Sequence, residues 1–264
     1  MRFVTFIGLI SLFLFACKRE DRFDQVTLVA HACSGLLTST TPYHDNSEEA
    51  FSYALALKGI DAIEVDVQLS GDGTLWLFHD PELSAETNGS GCISELTDAY
   101  LSSIHYTTQE KEKLIRLQDL PQNLEGKKLI LDLRHNNGCS NQSIDDTLVF
   151  NAVQQLVSEK KWTDLVLILG NPSWTELFSS LGFEIYVNAY DLNYYDALNV
   201  PQAAGPCIRS SMITKEEVNK IHQDGKKVII FDVRSPKGIR KALKKYPDLL
   251  MVDDPRAAII EKYR

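Results

Sequence analysis

The sequence predicts a single-domain α/β protein, a closed (β/α)8 or TIM barrel. Three observations lead there. Short runs rich in Val, Ile and Leu recur along the chain, nearly continuous in apolar character, as strands buried on both faces are. Helical patterns alternate with them, and a βαβα alternation implies a parallel sheet. The chain has 264 residues, close to the typical ~250 of a closed barrel. With 44% hydrophobic and 24% charged residues the composition is that of a folded globular protein, not a disordered one.

The expected strands are, in order, VTLVAH (26–31), AIEVDV (62–67), TLWLFH (74–79), KLILDLR (128–134), LVLILG (165–170), EIYVNA (184–189), PCIRSS (206–211), KVIIFDV (227–233) and LLMVDD (250–254). The turn Gly71-Asp72-Gly73 makes the third a hairpin partner of the second, which leaves eight for the barrel. The helices are expected over 46–59, 143–161, 173–182, 214–225 and 235–247. The first has an Asn or Ser cap and ends at Gly59; the fourth starts at a Thr cap and ends at Gly225. An open doubly wound sheet is the alternative. HACSGLL after the first strand lacks the G-x-G-x-x-G spacing of a dinucleotide-binding turn.

The N-terminus reads as an export signal over residues 1–16. Met1-Arg2 leads into a short apolar run that ends Leu14-Phe15-Ala16 before Cys17. The run is too short to span a bilayer comfortably. The ending resembles a bacterial lipoprotein signal, which implies a lipid on Cys17, a short polar tether over 17–25 and a barrel over 26–264. The location it implies is a membrane-anchored protein facing the periplasm or the cell surface. Plain signal cleavage or an uncleaved anchor are the alternatives. Besides Cys17 the chain has Cys33, Cys92, Cys139 and Cys207, and four cysteines in an exported chain allow three pairings. Cys92 with Cys139 is the expected pair, because both fall in loops at one end of the fold. The formal charge of −9 argues against a nucleic-acid partner, which calls for clustered Lys and Arg.

Active sites of such barrels lie at the C-terminal ends of the strands. His31 closes the first strand and His79 the hairpin strand. Glu64 and Asp66 share one face of the second strand, because side chains alternate with period two. Asp132 and Arg134 repeat that spacing. Each alone has an ordinary structural explanation, such as a carboxylate paired with Arg134. Together they converge on one mouth. Three carboxylates in a buried setting invite a divalent cation, and oxygen ligands favour Mg2+ or Ca2+.

HACSG, DNSEEAF, GIDAIEVDVQLSGDGTLWLFHD and LILDLR together resemble the glycerophosphodiester phosphodiesterase family. That family carries HRG, ENT, E-x-D, a DG turn, HD and E-x-K in this order. Weaker similarity runs on to LLMVDDP, so the resemblance covers essentially the whole chain after the export signal. It implies a (β/α)8 barrel that hydrolyses small-molecule phosphodiesters with a divalent metal. His31 and His79 would then be the acid/base pair. Glu64, Asp66, Asp132 and Asp45 would bind the metal, and Arg134 would hold the phosphate. Ala32 stands where the family has an arginine, although a divergent branch of it carries HA and NS. Arg209 is a candidate for the missing positive charge.

His44 and His135 are further candidates for the mouth. Tyr190, Tyr194 and Tyr195 either line a substrate groove or pack a loop. His105 and His222 read as ordinary loop or helix residues. Two other activities compete with glycerophosphodiester hydrolysis. One is a phospholipase C or sphingomyelinase D type of lipid phosphodiesterase. The other is an inactive barrel that serves as a surface binding module, which Ala32 alone supports.

Overall fold

The computed structural model describes residues 23–34, 43–134 and 144–264. The strands are β1 (Thr27–Ala30), β2 (Ala62–Leu69), β3 (Leu75–Leu77), β4 (Lys128–Leu133), β5 (Leu165–Leu169), β6 (Glu184–Ala189), β7 (Gly205–Arg209), β8 (Ile229–Phe231) and β9 (Leu249–Val252). The helices are α1 (Glu48–Ala56), α2 (Asp98–Leu101), α3 (Asp146–Lys160), α4 (Trp174–Ser179), α5 (Leu192–Leu198), α6 (Lys215–Gln223), α7 (Pro236–Leu243) and α8 (Pro255–Tyr263). The sheet order is β1-β9-β8-β7-β6-β5-β4-β2-β3, and β1 also pairs with β2. All pairings are parallel except β2 with β3. The result is a closed eight-stranded parallel barrel, with β3 as the antiparallel partner of β2 outside the ring.

Strand alternation divides the apolar residues into two layers. Ile63, Val65 and Val67 of β2, with Leu129, Leu131 and Leu133 of β4, join the shell between barrel and helices. Val29, Ala62, Ile130, Ile168, Tyr186 and Met251 fill the barrel interior. The helices start where the sequence supplies caps. Ser47, Asp145 and Ser235 accept hydrogen bonds from first-turn amides, and Thr214 forms a capping box with Glu217.

Several elements differ from the sequence reading. α5 falls where a loop was expected, and α8 was not expected. α8 buries Glu261 and Lys262 beside Pro255 and Ala258, so it carries no clean apolar stripe. The stretch between β3 and β4 forms a satellite core around Trp76, Phe78, Leu83 and Tyr106, held by 3-10 turns and isolated bridges. Phe23, assigned to the tether, is instead buried, with its ring 5.6 Å from that of Tyr246. The expected export signal, Cys17, His135 and Cys139 lie outside the described residues. Cys92 is disulfide-bonded, whereas Cys33 and Cys207 are free and buried.

Gly205 opens β7 where its neighbour runs closest. A Cβ there would clash with the Lys227 carbonyl oxygen. Gly205→Ala is therefore expected to lose about 3 kcal/mol or more, as overpacking against backbone does. Urea denaturation checks this, and a loss below about 1 kcal/mol would contradict the β7–β8 approach.

Candidate active site

The side chains that point inward at the C-terminal ends of the strands form the mouth. In β2 these are Glu64 and Asp66, which follow Ala62 on the interior face. In β4, Asp132 follows Ile130, and it stands level with Asp66 in the strand pairing. His31 comes two residues after the interior Val29. Asp253 comes two residues after the interior Met251.

His31 is fixed from one side. Its Nδ1 donates to Asp253 Oδ1 at 2.5 Å, and Asp253 is 1% exposed. Asp253 Oδ2 accepts from Arg234 Nε at 3.1 Å. Burial works against the imidazolium of His31. The Asp253 hydrogen bond and the charges of Glu64, Asp253 and Asp66 outweigh it, so the pKa is pushed up to about 9. Asp253 was not singled out in the sequence, although it stands in the quoted LLMVDDP.

Glu64, Asp66 and Asp132 each offer an oxygen within 4.8 Å of the others. All three are buried. Glu64 Oε2 accepts from the Ala32 amide at 2.7 Å. Asp66 Oδ2 accepts from Asn46 Nδ2 at 2.9 Å, and its own amide donates to Asn46 Oδ1 at 3.0 Å. Among the described residues Glu64 Oε1 and Asp132 Oδ1 are buried without a hydrogen-bond partner. Burial, then the Asp66 charge, hold the Glu64 carboxyl well above the usual range. Burial also raises Asp132, partly offset by Arg134. Unpaired buried carboxylate oxygens are costly, and a hard divalent cation is what oxygen ligands of this kind suit.

The structure does not bring Asp45 into this group. Its carboxylate faces His44 Nδ1 at 2.5 Å. Asn46, with φ of 54°, is the residue that turns inward to Asp66. Arg134 Nη1 donates to Asp132 Oδ2 at 3.1 Å and to Asp66 Oδ1 at 3.4 Å. His79 Nδ1 lies 2.6 Å from Asp80 Oδ1. His31, His79, Asp132 and Arg134 line one cavity of about 560 Å³.

The remaining sequence candidates separate. Tyr190 and Tyr194 line the cavity, whereas Tyr195 is buried in the core. Arg209 lines the cavity but is paired with Asp232 at 2.6 Å. His44 stacks on Tyr106, with ring centroids 3.7 Å apart. His222 pairs with Asp248 at 2.9 Å. The Ala32 side chain is buried and contributes no charge, while its amide holds Glu64.

The class, the phosphoric diester hydrolases, comes from comparison with known proteins, and the barrel and its mouth are consistent with it. A sequence model of the glycerophosphoryl diester phosphodiesterase family matches residues 32–257, and the chain belongs to that family. It is 27% identical over 226 residues to a glycerophosphodiester phosphodiesterase of Bacillus altitudinis, covering 82% of this chain and 92% of that protein. An Oleispira antarctica phosphodiesterase, solved with the product sn-glycerol-3-phosphate, superposes with a TM-score of 0.77 at 23% identity, over 89% of this chain and 96% of that one. A glycerophosphodiester phosphodiesterase from Parabacteroides distasonis gives a TM-score of 0.71 at 18% identity, over 90% and 97%.

The raised groups set the sign of a pH effect. Glu64 and Asp132 hold their protons more tightly when folded, so their contribution to stability is present below the ordinary carboxylate range and is lost as pH rises through the folded pKa. His31 acts in the same direction: its contribution is full below about 6.5 and is lost as pH rises through about 9. A divalent cation held by the three carboxylates would compete with those protons. The rise in Tm on adding Mg2+ or Ca2+ to EDTA-treated protein should therefore be larger at about pH 8.5 than at about pH 5.5. Glu64→Gln should abolish most of it. Equal shifts at both pH values would contradict the arrangement.

Proposed function

We propose that this chain hydrolyses glycerophosphodiesters at the barrel mouth by His acid/base catalysis, with a divalent cation held by Glu64, Asp66 and Asp132. The observation that carries the reading is the buried carboxylate trio, with two unpartnered oxygens, beside two imidazoles in one cavity. Mg2+ or Ca2+ held there would polarise phosphoryl oxygens and lower the pKa of a bound water or hydroxyl. The product found in the Oleispira neighbour supports a substrate that contains glycerol phosphate.

The protein's own groups have separate tasks. Asp253 occupies Nδ1 of His31, and Asp80 occupies Nδ1 of His79. Each ring is left with Nε2 as the atom that exchanges a proton. One imidazole takes the proton of the attacking oxygen, and the other returns a proton to the leaving alcohol. Arg134, steadied by Asp66 and Asp132, meets the charge that builds on the phosphate oxygens. A barrel that only binds has no evident need for both imidazoles.

Export and lipidation at Cys17 complete the proposal, and they rest on the sequence of residues 1–17 alone. The chain would then act on substrates outside the cytoplasm, tethered to a membrane. Cys17→Ala should move the protein from the membrane fraction to the soluble one; membrane retention of this variant would argue against the lipid anchor.

Catalysis is tested with bis(p-nitrophenyl) phosphate and glycerophosphocholine, assayed with Mg2+, Ca2+ or EDTA. EDTA should abolish turnover, and His31→Ala and His79→Ala should each lower kcat/KM by about 10²–10⁴-fold. Turnover that survives both EDTA and His31→Ala would sink the reading.

A further inference from the structure

The chain enters the barrel at its base, the end opposite the mouth. Phe23 is buried, with its ring 5.6 Å from that of Tyr246 in the loop between α7 and β9. The Phe23 carbonyl accepts from the Val26 amide at 3.0 Å, and the Thr27 amide donates to the Asp248 carbonyl at 2.9 Å. The buried Lys262, near the end of α8, donates to the Val26 carbonyl at 2.8 Å. Asp24 lines a cavity of about 370 Å³ together with Asp61, Lys128 and Asp164, which stand at the starts of β2, β4 and β5. That cavity shares no lining residue with the one that holds His31 and His79. The first residues of the barrel are thus pinned beneath the ring of strands.

The reach of the preceding segment limits how an anchored molecule can sit on a membrane. Six residue steps separate Cys17 from Phe23, a span of at most about 22 Å for a fully extended chain. To bring a lipid on Cys17 to the mouth, that segment would have to pass outward beyond the strands and the surrounding helices, then climb the height of the barrel. A layer of helices is about 10–12 Å thick. The six residues of β4 cover about 20 Å along the strand, or about 16 Å of height at the ~36° tilt of such barrels. This path exceeds the reach of the chain even before the radius of the ring is counted. Tyr190 and Tyr194, 69% and 46% exposed, line the mouth cavity and are side chains of a type that suits a membrane interface. On a protein held at Cys17 they stand on the far side from the bilayer.

We propose that the base of the barrel, around Asp24 and Asp164, is the face turned to the bilayer that carries the Cys17 lipid, and that the mouth opens away from it, so that the site draws diesters from solution and leaves the headgroups of its own bilayer untouched. This rests on the lipid-anchor and phosphodiesterase readings above. The test uses the full-length lipidated protein on phosphatidylcholine vesicles that contain a lipid with a spin-labelled headgroup, a short-range quencher of fluorescence. A fluorophore is attached through Asp164→Cys at the base, where the side chain is 61% exposed, or through Tyr190→Cys at the rim. Cys33 and Cys207 are buried and Cys92 is disulfide-bonded, and the unsubstituted protein serves as the labelling blank. Thermal unfolding confirms that both variants fold. Quenching should be several-fold stronger at position 164 than at position 190. Equal quenching, or stronger quenching at the rim, overturns the proposal. With Mg2+ or Ca2+, the anchored protein should hydrolyse glycerophosphocholine or bis(p-nitrophenyl) phosphate in solution and release no headgroup from the vesicles. Headgroup release at a rate comparable to soluble turnover also overturns the proposal. No hydrolysis of either soluble diester counts against the phosphodiesterase reading, while the quenching still decides the orientation. Protein that does not stay on the vesicles overturns the lipid anchor and this proposal together.

Discussion

Closure of the sheet between β1 and β2 is the constraint on which the rest depends. Val29 pairs with Ala62 on one side and with Met251 on the other, so the first strand joins both ends of the parallel run. Once the ring is shut, register and alternation decide which side chains face inward. His31, Glu64, Asp66, Asp132 and Asp253 then belong to one mouth, although their sequence positions span most of the chain. A shift of one residue in β2 would send Glu64 and Asp66 outward and bring Val65 in. Both strands of the Asp66–Asp132 pair are buried along their length, so such a slip would also place charges against the helical shell, where no partner awaits them.

The mouth is electrostatically one-sided at its floor. Three carboxylates face one another there, with Arg134 bonded to two of them and Glu64 held by a backbone amide. This arrangement is unfavourable as a structural device, since the Arg134 guanidinium and the His31 imidazolium, itself shared with Asp253, do not balance three acids in a buried setting. It is well suited to a divalent cation that meets a phosphate monoanion. The opposite wall is ordered differently. His31, Asp253, Arg234, Asp232 and Arg209 alternate in charge from the floor to the rim. That chain ties the orientation of His31 to the charges at the rim of the cavity.

Much of this was legible in the sequence because period-two alternation is local. The spacing of Glu64 with Asp66 and of Asp132 with Arg134 placed the charges on interior faces before any contact was known. What stayed hidden depends on distant or conformational facts. Asp253 reaches His31 across 222 positions, and two adjacent aspartates at a strand end do not say which one turns inward. The family resemblance implied Asp45 as a ligand, but the left-handed backbone at Asn46 sends the Asn46 amide to Asp66, and Asp45 pairs with His44. α8 escaped notice because buried Glu261 and Lys262 break its apolar stripe; they are matched by Arg240 and by the Val26 carbonyl. The satellite core before β4 escaped for a different reason. Its short turns carry neither helical nor strand periodicity.

The central claim is that Glu64, Asp66 and Asp132 form a cation site at the barrel mouth. Anomalous diffraction from crystals soaked in Mn2+, a stand-in for Mg2+ with a usable absorption edge, tests it most directly. The account predicts a single strong peak among the three carboxylates, close to Glu64 Oε1 and Asp132 Oδ1. Saturating Mn2+ with no peak there, or with the ion held elsewhere in the cavity, would contradict it.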